Sequence, residues 1–126
     1  LEFGEFSMID INQVGTVTVD PGTGATSTNA NILLFSSGQR GEYDITGGPA
    51  NTIYTVTVSN TLMTLNNTGV PPFLTLSAFD VRPLSLQTNG SGADTFFLGA
   101  TLSSDGGGQF YVDGNYGEDI EVLVEF

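Results

Sequence analysis

The chain has 126 residues and contains no Lys, His or Cys. Its formal net charge is −12, because it has 14 Asp and Glu and only two Arg. Such a surface repels nucleic-acid phosphates and anionic lipid headgroups, since binding either requires clustered basic residues. The absence of cysteine excludes disulfides, thiolate metal sites and thiol nucleophiles. We therefore expect no nucleic-acid partner, no membrane insertion, and stability from packing alone.

The acidity itself has two interpretations. It serves solubility or adaptation to salty or calcium-rich surroundings, or it binds a cationic partner. The longest apolar runs, such as residues 32–35, are too short to cross a bilayer. The chain begins at Leu1 with no signal-peptide pattern, and we expect that such a peptide is removed from an exported precursor.

Alternation of apolar and other residues indicates strands throughout the chain. We predict them at residues 1–6, 16–19, 32–35, 42–46, 54–58, 62–65, 74–81, 96–102, 109–112 and 120–126. In the last strand, Glu121 and Glu125 are expected to face solvent or a partner. The residues expected to face the core there are Ile120, Val122, Val124 and Phe126. Phe79 and Phe97 fall on the opposite parity from their apolar neighbours, and we expect them to face a second sheet or a partner chain.

Clusters of Gly, Asn, Asp and Pro separate these strands, as at residues 20–24, 89–92 and 105–108. Tight hairpin turns need positive φ, which Gly and Asn adopt most readily. No apolar period of 3.6 residues supports a helix of three or more turns. Short strands at this spacing predict a single all-β domain, residues 1–126, built as an antiparallel sandwich or barrel.

Residues for catalysis are not evident in the sequence. A nucleophilic triad needs an imidazole or an equivalent base, and the chain has neither His nor Lys. Glycoside hydrolysis needs two carboxylates that converge in a cleft, whereas these acids lie mainly in turns or at outward-facing positions. We expect no catalytic residues, no cofactor and no enzyme activity.

Two kinds of weak site remain. Asp113, Glu118 and Asp119 could supply oxygen ligands to calcium, although their spacing does not match a helix-flanked calcium loop and turn formation explains them better. Asn66 and Asn89 each begin an Asn-x-Ser/Thr triplet, the acceptor pattern for N-glycosylation. Such triplets are common by chance in a chain rich in Asn and Thr.

Several short motifs resemble a family of exported bacterial domains of unknown function. They are Leu1-Glu-Phe-Gly, residues 15–19 (Gly-Thr-Val-Thr-Val), residues 41–47 around a Thr-Gly turn, residues 54–58, and Asn115-Tyr-Gly before the last strand. The resemblance extends over essentially the whole chain. It implies a pilin-like, immunoglobulin-like β-sandwich that is exported and often encoded near pilus chaperones. Family members usually carry a further segment before the Leu-x-Phe-Gly motif.

We therefore expect a secreted structural subunit of an extracellular filament or pilus-like appendage, assembled by β-strand addition between neighbouring copies. A periplasmic chaperone and an outer-membrane usher are further possible partners. The residues expected in the assembly strands are Leu1, Phe3, Phe6, Ile120, Val122, Val124 and Phe126. The alternative is a monomeric extracellular adhesion module that binds sugar or calcium through its end loops.

Overall fold

The computed structural model describes residues 1–59 and 71–126 and the backbone of residues 62–65. This part of the chain forms antiparallel strands and no helix, which confirms the predicted all-β class. The strands are β1 (Glu5–Met8), β2 (Thr16–Val19), β3 (Thr26–Thr28), β4 (Ile32–Ser36), β5 (Gly41–Ile45), β6 (Thr55–Val58), β7 (Leu62–Leu65), β8 (Leu74–Arg82), β9 (Asp94–Ser103), β10 (Tyr116–Gly117) and β11 (Val122–Glu125). Over these same ranges, no helix has the length and apolar character needed to cross a membrane.

The larger sheet is organised around β9, which pairs along both of its edges. β8 lies along one edge, while β5 and β2 share the other, β5 against the first half of β9 and β2 against the second. β3 extends the sheet beyond β2, and β7 and β10 extend it beyond β8. The alternation predicted for β9 is confirmed, because its inward residues are all buried: Phe96, Leu98, Ala100 and Leu102.

The remaining strands form two separate antiparallel pairs, β1 with β4 and β6 with β11. Phe3 lies just before β1, and Ile32 belongs to β4. Both pack in one cluster with Val17 and Leu76 of the larger sheet. Next to the second pair, the ring centroid of Tyr54 lies 6.3 Å from that of Phe96 in β9. The two pairs thus contribute a second layer over the larger sheet, as expected of a β-sandwich.

The first strand begins later than the alternation predicts. Gly4 has a φ of +80°, and a Cβ at this position would overlap the carbonyl oxygen of Ser36. The register against β4 also shifts between Glu5 and Phe6. Before Gly4, the chain makes a single isolated bridge, between Glu2 and Gln39.

A bulge in β8 explains the parity of Phe79. The register against β9 shifts between Ser77 and Asp80, and Ala78 has a φ of 50°. An extra residue in one strand reverses the side on which later side chains point. Phe79 therefore packs, half-buried, against the core.

Phe97 is covered by the chain itself. It is half-buried, and the guanidinium carbon of Arg40 lies 3.6 Å from its ring centroid. A guanidinium over an aromatic face is a favourable cation–π contact. One face of the Phe97 ring is therefore covered within the chain.

The strand predicted at residues 109–112 is wrong, since these residues join no sheet in the described part of the chain. The Tyr111 hydroxyl donates to the Phe73 carbonyl at 3.0 Å and accepts from the Asp105 amide at 3.2 Å. Hydrogen bonds of the Tyr111 side chain thus hold these residues in an irregular loop, although their apolar and polar residues alternate as they would in a strand. Conversely, β3 was not predicted, because its Thr-Ser-Thr sequence has no apolar alternation.

Candidate functional site

A groove of about 1140 Å³ follows β1. Two segments line most of it, residues 1–12 and residues 110–118, which we call its two sides. Ser36, Ser37, Leu74 and Leu102 complete the lining. We name this set the β1 groove. Leu74 and Leu102 belong to the hydrophobic core, with only 4% and 3% of their surface exposed. The groove therefore reaches down to the core.

The main chain of β1 is unpaired on one edge. Among the described residues, β1 pairs only with β4, and just after it the Ile9 amide donates to the Asn31 carbonyl at 2.9 Å. Bonded residues alternate along an antiparallel ladder, so Ser7 also faces β4. The N–H and C=O groups of Phe6 and Met8 consequently face the open edge, while their side chains pack against the core. β1 can accept a further strand there.

Asn31 fixes the segment that follows β1. It is buried, and its Nδ2 donates to the carbonyls of Asp10 and Gln13, both at 2.8 Å. Its Oδ1 accepts from the Asp10 amide at 2.7 Å. The Gly108 amide then donates to the Ile11 carbonyl at 2.9 Å, which joins the two sides of the groove at this end. These bonds hold the groove in a defined shape.

Two tyrosines support the side formed by residues 110–118. The rings of Tyr111 and Tyr116 are tilted against each other with centroids 6.3 Å apart, and the Tyr116 hydroxyl donates to the Val112 carbonyl at 2.8 Å. Burial raises the pKa of both hydroxyls above the ordinary tyrosine value, and the charges of Asp105 and Asp113 act in the same direction. Both tyrosines therefore stay neutral hydrogen-bond donors.

Two large apolar side chains beside Tyr111 are exposed at the groove. Phe110 has 82% of its surface exposed and Val112 has 62%. Large apolar side chains at this exposure are available for contact with a partner.

A family model described as a domain of unknown function, DUF4402, matches residues 1–126. The chain belongs to this family. The match confirms the resemblance to a family of unknown function. No curated protein and no solved structure matches this DUF4402 domain.

The N-terminal residues predicted for assembly all lie in the β1 groove of the DUF4402 domain. Leu1, Phe3 and Phe6 line it, but Phe3 is itself buried and Leu1 and Phe6 pack partly against the core. They therefore form part of the groove lining. The sequence did not predict the opposite side, because it assigned residues 109–112 to a strand.

The C-terminal residues predicted for assembly belong mainly to β11. Val122 and Val124 are half-buried and alternate with the exposed Leu123 and Glu125, as expected from the sequence. Two further residues also agree with the sequence prediction: Glu121 is exposed, and Ile120 is half-buried and packs against the core. Phe126 differs: it lies beyond the last paired residue and is 55% exposed, with its ring centroid 5.8 Å from that of Tyr54.

β11 also has an unpaired edge. Among the described residues it pairs only with β6, and the Ser59 amide donates to the Glu121 carbonyl at 3.2 Å. By the same alternation, the main-chain groups of Val122 and Val124 face away from β6. β11 is thus a second edge that could take part in strand addition.

The calcium candidates of this DUF4402 domain are separate, exposed side chains. In the described ranges, no three His, Cys, Asp or Glu residues are grouped so that they could hold a metal ion. Asp113 lies by Tyr116, and the Glu118 side chain accepts from the Asp119 amide at 3.2 Å.

The first glycosylation candidate, Asn66, lies outside the described residues. Asn89 is exposed, and its Oδ1 accepts from the Ser91 amide and hydroxyl and from the Ala93 amide. These bonds are those of an Asx-type turn, which accounts for Asn at this position.

Proposed function

We propose that this DUF4402 domain is a structural subunit of an extracellular, pilus-like bacterial appendage and assembles by β-strand addition between neighbouring subunits. In this mode an extended segment of one chain adds to an open sheet edge of another through main-chain hydrogen bonds. The proposal includes an exported, immunoglobulin-like sandwich of pilin type and a structural role instead of catalysis.

The β1 groove is the observation that carries this proposal. It places the open main-chain edge at Phe6 and Met8 next to the core residues Leu74 and Leu102. An added strand could therefore make ladder hydrogen bonds on one side and bury alternate side chains below. The four residues of β1, Glu5–Met8, span roughly 14 Å, which sets the length of the ladder that an added strand could form.

Neighbouring copies and a chaperone are the partners that this function requires. An open edge beside apolar surface invites unordered aggregation, and proteins commonly protect such edges with Lys. This chain has no Lys. We infer that a chaperone occupies the groove before assembly, that an usher directs export, and that a subunit's strand occupies the groove afterwards.

Variants at two equally exposed residues test the proposal. Phe110 lines the β1 groove and Leu84 does not, yet each is 82% exposed. We expect Phe110→Asp to reduce filament formation, followed by light scattering and negative-stain microscopy, and Leu84→Asp to leave it unchanged. Equal behaviour of the two variants, or a protein that stays monomeric at high concentration, would contradict the proposal.

A further inference from the structure

Acidic side chains lie on both sides of the β1 groove. Glu2 and Glu5 belong to the β1 side, Asp113 and Glu118 belong to the opposite side, and all four are exposed. Asp10 also lines the groove, but its carboxylate accepts bonds from Asn12. No Arg lies among the residues that line the groove. A strand in this groove would enter a region of one charge sign.

A strand paired with β1 would lie close enough to the groove carboxylates to interact with their charge. Paired strands lie about 4.8 Å apart. At physiological ionic strength the screening length is about 8 Å. A charged residue at the solvent-facing or flanking positions of an added strand would therefore interact with the groove carboxylates, and like charges there would be unfavourable.

We propose that the β1 groove accepts an extended segment of a partner protein whose inward positions are apolar and whose flanking positions are Lys or Arg. This inference rests on the proposed strand addition and specifies the chemistry of the inserted segment. The accessible apolar lining, Phe6, Phe110 and Val112, favours apolar side chains at every second position, and the acidic residues of the groove favour the basic flanks.

The strands described in this chain do not combine apolar inward positions with Lys or Arg flanks that are free for a partner. The only two basic residues of the chain are Arg40 and Arg82. Arg40 donates to the carbonyls of Pro21 and Gly22 and covers Phe97, while Arg82 pairs with Asp80 at 3.1 Å. The exposed strands β1 and β11 instead carry Glu5 and Glu125. A strand from a second copy of residues 1–126 therefore fits the groove less well than a basic segment.

Two labelled peptides test the inference directly. Both contain the same alternating Val and Thr residues, with two Lys at each end of one and two Glu at each end of the other. In fluorescence anisotropy at low salt, we expect the Lys-flanked peptide to bind about tenfold more tightly or better, with the difference shrinking as salt is added. Equal affinity would overturn the basic-strand inference alone. Binding of neither peptide would overturn the groove as a strand acceptor, and with it the proposed function.

Two variants with the same change in net charge test whether the groove carboxylates cause the preference for Lys flanks. The groove variant combines Glu2→Gln, Glu5→Gln, Asp113→Asn and Glu118→Gln, and the control combines Asp20→Asn, Glu42→Gln, Asp44→Asn and Asp80→Asn, none of which lies in the groove or in β11. Both change the net charge of −12 by the same four units. We expect the groove variant to lose the preference for Lys flanks and the control to keep it. Equal loss of this preference in the two variants would overturn the inference.

Discussion

The backbone of Gly4 lies so close to that of Ser36 that a Cβ on residue 4 would overlap the Ser36 carbonyl oxygen. The same Cβ would lie 2.8 Å from the Ser37 carbonyl carbon, and the φ of +80° is itself unfavourable for any other residue. The Gly of the Leu-x-Phe-Gly motif therefore has a steric role. It lets Phe3 enter the core immediately before β1 begins along the groove.

Substitution of Gly4 should destabilise the fold more than substitution of a glycine with a similar φ and free space. Gly47 has a φ of +71° and nothing within 4 Å of a Cβ. We expect Gly47→Ala to lower the free energy of unfolding by about 1 kcal/mol. Gly4→Ala should lower it by about 2–4 kcal/mol, because overlap adds to the backbone strain. Urea denaturation of both variants measures this difference, and equal losses would contradict the steric role.

Asn31 should contribute strongly to stability, because its buried side chain makes three hydrogen bonds. Asn31→Leu removes the partners of the Asp10 amide and of the Asp10 and Gln13 carbonyls. We expect a loss of about 3 kcal/mol in unfolding free energy and faster hydrogen exchange at the Asp10 amide. The exposed Asn12→Leu variant should change stability by about 0.5 kcal/mol or less. An Asn31→Leu protein as stable as the Asn12→Leu protein would show that Asn31 does not hold this side of the groove.

Stability should fall in alkaline solution because of Tyr54. This residue is buried and donates its hydroxyl hydrogen bond to Asp94 at 2.7 Å. Burial, then the hydrogen bond and charge of Asp94, raise its pKa well above the ordinary value of 10.0. The folded state thus keeps a proton that the unfolded state releases, so this stabilisation is complete below pH 10 and is lost as the pH rises above it.

The Tyr54→Phe variant provides the comparison for this pH dependence. Its unfolding free energy, measured over roughly pH 9 to 12, should decline less steeply than that of the wild type, since one raised pKa is absent. Parallel curves for the two proteins would mean that Tyr54 does not cause the alkaline loss.

The sequence predicted the parts of the fold that depend on simple alternation. In β9, Phe96 and Leu102 are buried at the same parity because an uninterrupted strand places every second side chain on one face. The same reasoning holds for Val122 and Val124 in β11. Alternation failed for Phe79, because the bulge beside Ala78 changes the parity, and nothing in the sequence marks Ala as a residue with positive φ.

The candidate site was only half predictable for a similar reason. Residues 1–6 were expected to act in assembly, and they line the β1 groove. The other side depends on Tyr111 and Phe73, which are far apart in sequence and meet through a hydrogen bond to the Phe73 main-chain carbonyl. Periodicity carries no information about such a contact, so residues 109–112 looked like a strand.

Hydrogen exchange at three adjacent amides of β1 tests strand addition most directly. The Phe6 and Met8 amides face the open edge, whereas the Ser7 amide faces β4 and serves as an internal control. Exchange is measured residue by residue in the isolated domain and in filaments assembled from natural subunits. We expect Phe6 and Met8 to exchange much more slowly in filaments and Ser7 to be protected in both states. Filaments in which Phe6 and Met8 exchange as fast as in the isolated domain would contradict it.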